Sequence, residues 1–451
     1  MMIKKIGLIV LILTLLITPV QANSAQTWFE GRDSSGIVVL KDSSPLVVRH
    51  EKLTFNISDF PQYLSSLENF KSYNSHVIAQ YQIYNPSSLT IKSRLLFPFG
   101  INPSYMNQYN QQENKNEDID QYLVSVDDKE INKTLRHTYK HSNEDFSLEE
   151  DLSKIVDHYK QDSFYTRKLP VTKITYQIQG VDTHQYTNAY ACMSLKNNPQ
   201  NTRVYMKQLN GYKTNEDNVQ MGLFVGDTKN IEVYFIGQPI QDVKWSVYKD
   251  STSDKIINGK ANIVSKEELT FEDLAMSKYN EDSQILAMDW YNAIVDMIHD
   301  EESMIIDIEN DLDISHELMR WYDYTIEVKP NTSIINKVIA PIYPAIDSNY
   351  NPPIYEYTYL LSPASRWKEF ENLEIEIHTN YFLVKDNFNS FLKTDDGYSM
   401  TLKKLPSTEL QFTLCSQKKA TNHQDHFIPC LSIITIINII IIYIIIRRKK
   451  S

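Results

Sequence analysis

Residues 76–97 read HVIAQYQIYNPSSLTIKSRLLF, and the alternation inside them decides the fold class. Side chains of an extended segment point to opposite faces in turn, so Val77, Ala79, Tyr81 and Ile83 share one face. Asn85-Pro86-Ser87-Ser88 is turn chemistry, and Leu89, Ile91, Leu95 and Phe97 resume the apolar pattern beyond it. The stretch predicts a β-hairpin.

The same period recurs in both directions. Residues 122–126 and 131–137 predict a second hairpin across Asp127-Asp128-Lys129-Glu130, and residues 171–178, 203–209 and 231–236 predict further strands. From Trp321 on, Tyr322, Tyr324, Ile326 and Val328 alternate. Residues 337–342, the run Tyr355, Tyr357, Tyr359, the run Leu373, Ile375, Ile377, and residues 398–403 and 409–414 continue the pattern. Short alternating strands at this spacing suggest a sandwich.

Helical spacing interrupts the strands twice. Ser147 and Glu150 make a capping box around Leu148, Leu152, Ile155, Val156 and Tyr159, which predicts a short helix near 147–160. Ser265 and Glu268 make another, opening a helical region in which Ile285, Met288, Val295 and Ile298 share a stripe. The expected architecture is therefore mainly β, two β-sandwich-like domains with a helical insert. Residues 23–255 form the first domain, 256–318 the insert or connector, 319–415 the second domain and 416–426 a polar stalk.

Two apolar runs bound this polar body. Residues 6–17 follow Lys4 and Lys5 and lead to Val20-Gln21-Ala22, the three parts of a signal peptide over 1–22 cleaved after Ala22, with Ala25 the second choice. That run is shorter than the ~20 residues a spanning helix needs. No cysteine follows it, which excludes a lipoprotein signal. Residues 427–446 are long enough to be a transmembrane helix, and Arg447, Arg448, Lys449 and Lys450 place the tail 447–451 in the cytoplasm. Leu405-Pro406-Ser407-Thr408-Glu409 looks like a cell-wall sorting motif, but Glu409 stands where glycine is required, and Leu410, Phe412 and Leu414 continue it as a strand. The expectation is a single-pass protein of the cell membrane with an extracellular body. Within the span, Ser432, Thr435 and Asn438 recur every three residues, the spacing of a helix–helix contact with a membrane-protein partner.

Of the 45 basic residues, Lys4, Lys5 and four in the tail lie outside the body, which leaves 39 against 57 acidic ones. A surface this acidic argues against nucleic acid and against direct binding to anionic lipid or polyanionic wall polymers, unless divalent cations bridge. The three cysteines are Cys192, Cys415 and Cys430, and only the first two are available to pair in the body, a pairing the sequence leaves open.

The search for chemistry yields near misses. His316-Glu317-Leu318-Met319-Arg320 begins like a zinc-protease helix, but Arg320 stands where the second histidine must be. His137, His141 and His158 are a candidate metal set, weighed against exposed loop histidines. Asp307, Glu309, Asp311 and Asp313 have calcium-loop spacing, but Leu312 replaces the turn glycine and Leu318 the closing glutamate, so a solvated acidic linker is the simpler reading. Glu374, Glu376 and His378 share a strand face, as an acid and base would, or as the solvent side opposite Leu373, Ile375 and Ile377. No glycine-flanked serine elbow or phosphate loop is present. No catalytic residue, metal or cofactor is assigned.

Trp28-Phe29-Glu30-Gly31, the strand from Glu51 to Phe55, Phe97-Pro98-Phe99-Gly100 and Leu361-Ser362-Pro363-Ala364-Ser365-Arg366-Trp367 resemble exported, membrane-anchored, β-rich proteins of Gram-positive-type bacteria, a domain family of unknown function. The resemblance implies a signal peptide, a β-rich ectodomain and a C-terminal span, and brings no catalytic residues. The expected function is a binding or structural module, or a subunit of a membrane complex, at the cell envelope. The alternative is an extracytoplasmic enzyme.

Overall fold

The computed structural model describes residues 28–422, apart from 61–72, 100–121 (Pro103 excepted), 141–145 and the short stretches 30, 33, 41–43, 197–199, 216–217, 227–229, 241, 253, 300–304, 307–311 and 316. Ala22, His141, Asp307, Glu309, Asp311, His316, Ser432, Thr435, Asn438 and Arg447, Arg448, Lys449 and Lys450 lie outside the described residues. Among those described, the chain is mainly β, and no helix is long and apolar enough to cross a membrane.

The largest sheet runs in the order Leu392–Lys393, Gly397–Leu402, Leu373–Thr379, Val47–Ile57, His76–Tyr84, Ser333–Pro341, Leu123–Val126, Lys129–Glu130. Its centre joins sequence-distant segments: Val47–Ile57 pairs antiparallel with His76–Tyr84 and parallel with Leu373–Thr379, so Leu53 stands beside both Ala79 and Ile375. A second sheet contains Trp28–Phe29, Ala345–Asp347, Ile354–Leu360, Leu410–Cys415 and Phe382–Asp386, with Ser34–Ser35 alongside Ile354–Leu360. Period-two patterning turns one face of each toward the other. Phe55 of the first packs edge-on against Tyr359 and Phe412 of the second, at 5.6 and 5.2 Å between ring centroids.

The hairpin expected at 76–97 does not form. His76–Tyr84 lies between Val47–Ile57 and Ser333–Pro341, whereas Ile91–Pro98 pairs with Leu318–Val328 and Val38–Val39 in a different sheet. Fully buried Asn85 sits at the departure: its side-chain amide donates to the Leu89 carbonyl within the turn and to the Val328 carbonyl, tying the turn to the end of Leu318–Val328. The second hairpin is tighter than expected. Leu123–Val126 meets Lys129–Glu130 across Asp127 and Asp128, both at positive φ (48° and 60°), the conformation a two-residue turn needs. Thr134–Tyr139 then leaves to pair with Leu318–Val328.

The boundaries expected at 255 and 318 do not separate two β domains. Strands from before residue 140 and after residue 318 share sheets and one continuous core, reaching from Ile37 to Leu414. Residues 170–306 instead form two sheets of their own. One contains Lys260–Thr270, Pro170–Gln179, Ile231–Gly237, Thr202–Met206 and Ile305–Ile306. The other contains Gly211–Asn215, Asn218–Phe224, Tyr190–Lys196 and Lys244–Tyr248. Ile174, Val204 and Val233 of the first pack against Met193, Met221 and Leu223 of the second. The opposite face of the first, with Val171, Tyr205 and Ile236, packs on the helices Phe271–Ala275 and Ala287–His299.

The helical insert is correspondingly smaller. Ser265 and Glu268 lie in the strand Lys260–Thr270, held in register against Pro170–Gln179, and the capping box that starts the helix is made by Thr270 and Asp273. Ladder pairing outweighs a local capping signature there. The helix near 147–160 spans only Leu148–Ser153. Ser147 is its N-cap, but the Ser147 side chain does not cap; instead the Asp151 carboxylate accepts the Ser147 amide at 2.9 Å. The expected stalk is partly folded, since Thr421–Asn422 pairs with Tyr350–Asn351.

Candidate functional site

Val47–Ile57 carries titratable groups on both faces. On the outer face, Lys52 lies beside Glu374 of the parallel neighbour and donates to Glu374 at 3.1 Å and Glu376 at 2.7 Å. His50 approaches Glu374 at 3.5 Å and His378 approaches Glu376 at 3.3 Å. The Glu376 carboxylate holds the Lys52 ammonium above its ordinary pKa, and Lys52 holds Glu376 below its own. The three residues singled out on the 373–379 strand are thus brought together, half-buried, by a lysine the pattern did not include. They form a charge-compensated ladder. An open depression beside it is lined by Ile57, His378, Thr379, Asn380, Asp395 and Asp396.

On the inner face, Glu51 is 1% exposed and sits opposite Tyr81. Burial raises its pKa from 4.5 to about 8, and the neighbouring Tyr81 hydroxyl offsets only part of the rise. Neither carboxyl oxygen has a partner in hydrogen-bonding geometry. Tyr81 instead shares a 3.2 Å contact with the Tyr359 hydroxyl and accepts the Ile37 amide at 3.2 Å. Farther along the same seam, Tyr324 donates to Asn336 at 3.0 Å. A neutral carboxylic acid among tyrosines is the state this pocket stabilises at neutral pH.

A second buried group links the two parts of the fold. Arg136 on Thr134–Tyr139 donates to Asp289 on Ala287–His299, from Nε to Oδ2 at 3.0 Å and from Nη2 to Oδ1 at 3.0 Å, and to Asp157 at 2.9 Å. Burial opposes the guanidinium charge, but the hydrogen bonds to Asp289 and Asp157 outweigh it and keep the Arg136 pKa above its ordinary value. Arg94 joins through Asp157 and Asp323. Farther along that helix, Asn292 accepts the Lys160 amide and donates to the His158 carbonyl, and Asp296 pairs with Lys160. The helix therefore grips Arg136, His137, His158 and Lys160 with Asp289, Asn292 and Asp296, at helical spacing.

The two described members of the histidine set differ in burial. His137 is 5% exposed with Nδ1 lacking a partner, and burial together with the charges of Arg320 and Arg136 lowers its pKa from 6.5 to about 3. His158 is exposed. Asp313 accepts the Ser315 amide and hydroxyl, which makes it a turn former. Among the described residues no group of three His, Cys, Asp or Glu is placed to hold a metal. Cys192 and Cys415 are buried free thiols in different sheets.

The sequence reading missed Glu51, Arg136 and Asp289. A signal for Glu51 was available, because it lies in step with Leu53, Phe55 and Ile57, every one of which faces the core. The Arg136–Asp289 pair joins residues 153 apart, and no local pattern marks it.

The chain matches no protein-family model and no curated protein. Among solved structures it is similar to a "putative nutrient binding protein" from Legionella pneumophila, at 8% identity and a TM-score of 0.37, over 86% of this chain and 72% of that one.

Proposed function

We propose that the chain is an exported, single-span module of the cell envelope that binds or braces a partner close to the membrane surface. The observation that carries this reading is the pairing of Thr421–Asn422 with Tyr350–Asn351. Only residues 423–426 separate that pair from the apolar run at Phe427. Four extended residues reach at most about 14 Å. With 427–446 as the span and Arg447, Arg448, Lys449 and Lys450 inside, the β body rests against the outer headgroups instead of standing on a stalk. A body held that close can touch the outer loops of a neighbouring membrane protein while Ser432, Thr435 and Asn438 contact its helix.

Two measurements test the reading. In spheroplasts of cells expressing the full chain with a C-terminal tag, external protease is expected to degrade the body and spare the tag. A tag cut along with the body, or a protein recovered wholly in the cytosol or medium, sinks the topology. Crosslinking in cells, with the native span compared against a polyleucine span, is expected to recover one membrane protein only with the native span. Equal recovery removes the helix contact.

A further inference from the structure

We propose that the outer face of the sheet formed by Gly211–Asn215, Asn218–Phe224, Tyr190–Lys196 and Lys244–Tyr248 is a binding platform for an acidic oligosaccharide. This deepens the binding reading above by naming a ligand class. The inner face of this sheet is sealed by Met193, Leu195, Met221 and Leu223. The outer face carries the alternate residues, and the registers place them in rows.

The first row is aromatic: Phe224, Tyr190 and Tyr248 stand side by side on three neighbouring strands. Phe224 is 41% exposed and meets Tyr190 edge-on, with ring centroids 5.3 Å apart. The second row is small, with Gly222 beside Cys192. The Tyr190 ring reaches over Gly222, where a Cβ would come within 2.2 Å of it, so the glycine leaves the room that the ring occupies. The third row, across the four strands, is Lys213, Gln220, Ser194 and Lys244. Lys196 follows in the next row, and none of the paired positions on this face is acidic. In a chain of net charge −12, that is a local reversal of sign.

These rows match one chemistry. The apolar C–H face of a sugar ring stacks on a flat aromatic, amide and hydroxyl side chains suit its hydroxyls, and exposed ammonium groups meet a carboxylate or phosphate. Tyr190 and Ser194 are four residues apart, about 13 Å along the strand, which is the scale of a short oligosaccharide. Lys213 and Lys244 flank its far end, three strand spacings or about 14 Å apart. A single-stranded nucleic acid also stacks on aromatics, but it is held by a continuous basic groove. Three lysines on an open face of an acidic protein do not form one.

The test uses the full-length chain in phosphatidylcholine nanodiscs, titrated calorimetrically at low salt with trigalacturonic acid, a hyaluronan tetrasaccharide, neutral maltotriose and a uridine oligonucleotide. At least one acidic oligosaccharide is expected to bind about tenfold or more tighter than maltotriose. The double reversal Lys213→Glu with Lys244→Glu removes that preference, and Phe224→Ser weakens both kinds of sugar, each without changing the melting temperature. Tyr190→Ala adds a third probe, and the exposed lysine and Phe224 variants keep the test sound if it misfolds. No binding of either acidic sugar, equal binding of maltotriose, binding untouched by the variants, or tighter binding of the oligonucleotide each overturns the proposal. Because the readout is on purified protein, a failed titration leaves the membrane topology standing, and a failed protease test leaves the platform standing.

Discussion

Asp289 holds two neighbours of one strand with a single carboxylate: the Arg136 guanidinium at 3.0 Å and the His137 backbone amide at 2.9 Å. The ion pair is sealed, with side chains 2% and 5% exposed. It fastens the helix of the 170–306 unit to a strand that pairs with Leu318–Val328.

Removing one partner of a sealed ion pair strands the other charge. Asp289→Ala is therefore expected to cost about 3–5 kcal/mol in urea melts. Asp289→Asn, which keeps an acceptor, is expected to cost less. A loss under about 1 kcal/mol for the alanine variant would show that Asp157 alone satisfies Arg136.

Glu51 sets an alkaline limit. Its pKa is about 8 in the fold against 4.5 ordinarily, so the folded state holds a proton that the unfolded state releases. Stability from this group is intact below pH 4.5 and declines until pH 8, by roughly 5 kcal/mol in all. Glu51→Gln cannot ionise. Its stability relative to the native chain should improve by roughly 4 kcal/mol between pH 5 and pH 8.5. Parallel profiles for the two proteins would refute the assignment.

His137 sets the acid limit with the opposite sign. Its pKa is about 3 in the fold against 6.5 ordinarily, so its contribution is intact above pH 6.5 and is lost as the pH falls towards 3, by roughly 5 kcal/mol in all. Between pH 4.5 and 6.5 both states bind one proton across this pair of groups, so their joint contribution is flat. Relative to the native chain, His137→Gln is expected to gain roughly 3 kcal/mol as the pH falls from 6.5 to 4, so its own stability declines with rising pH where the native pair is flat, read from urea melts across that window.

Cys192 and Cys415 are expected to resist alkylation by N-ethylmaleimide in the native protein and to react fully in denaturant, with the same mass gain whether or not reductant is added. With Cys430→Ser in place, a gain that rises by two labels on reduction would place a disulfide between them.

The strand content was legible because period two is a local property, and residues 171–178 and 231–236 needed only their own side chains to be recognised. Partner choice was not. Val77, Ala79, Tyr81 and Ile83 announce which way they face, yet nothing in them says that Ser333–Pro341 is the neighbour. Ser265 and Glu268 failed for a related reason, since the four-residue signature of a helix start also fits the end of a strand. The outer ladder was half visible: Glu374, Glu376 and His378 can be read from one strand, but Lys52 arrives from 322 residues earlier.

The pairing of Val47–Ile57 with Leu373–Thr379 also fixes an order of events during synthesis. The first long strand emerges early but its parallel neighbour comes late, while residues 170–306 carry both of their sheets within one continuous stretch. The middle of the chain can close as soon as it is made. The two ends must stay open, with Phe55 and Tyr81 uncovered, until Tyr359 and Phe412 have been delivered. For a chain made in sequence, the first strands wait in solvent through most of synthesis, and it is they that a chaperone would have to shield.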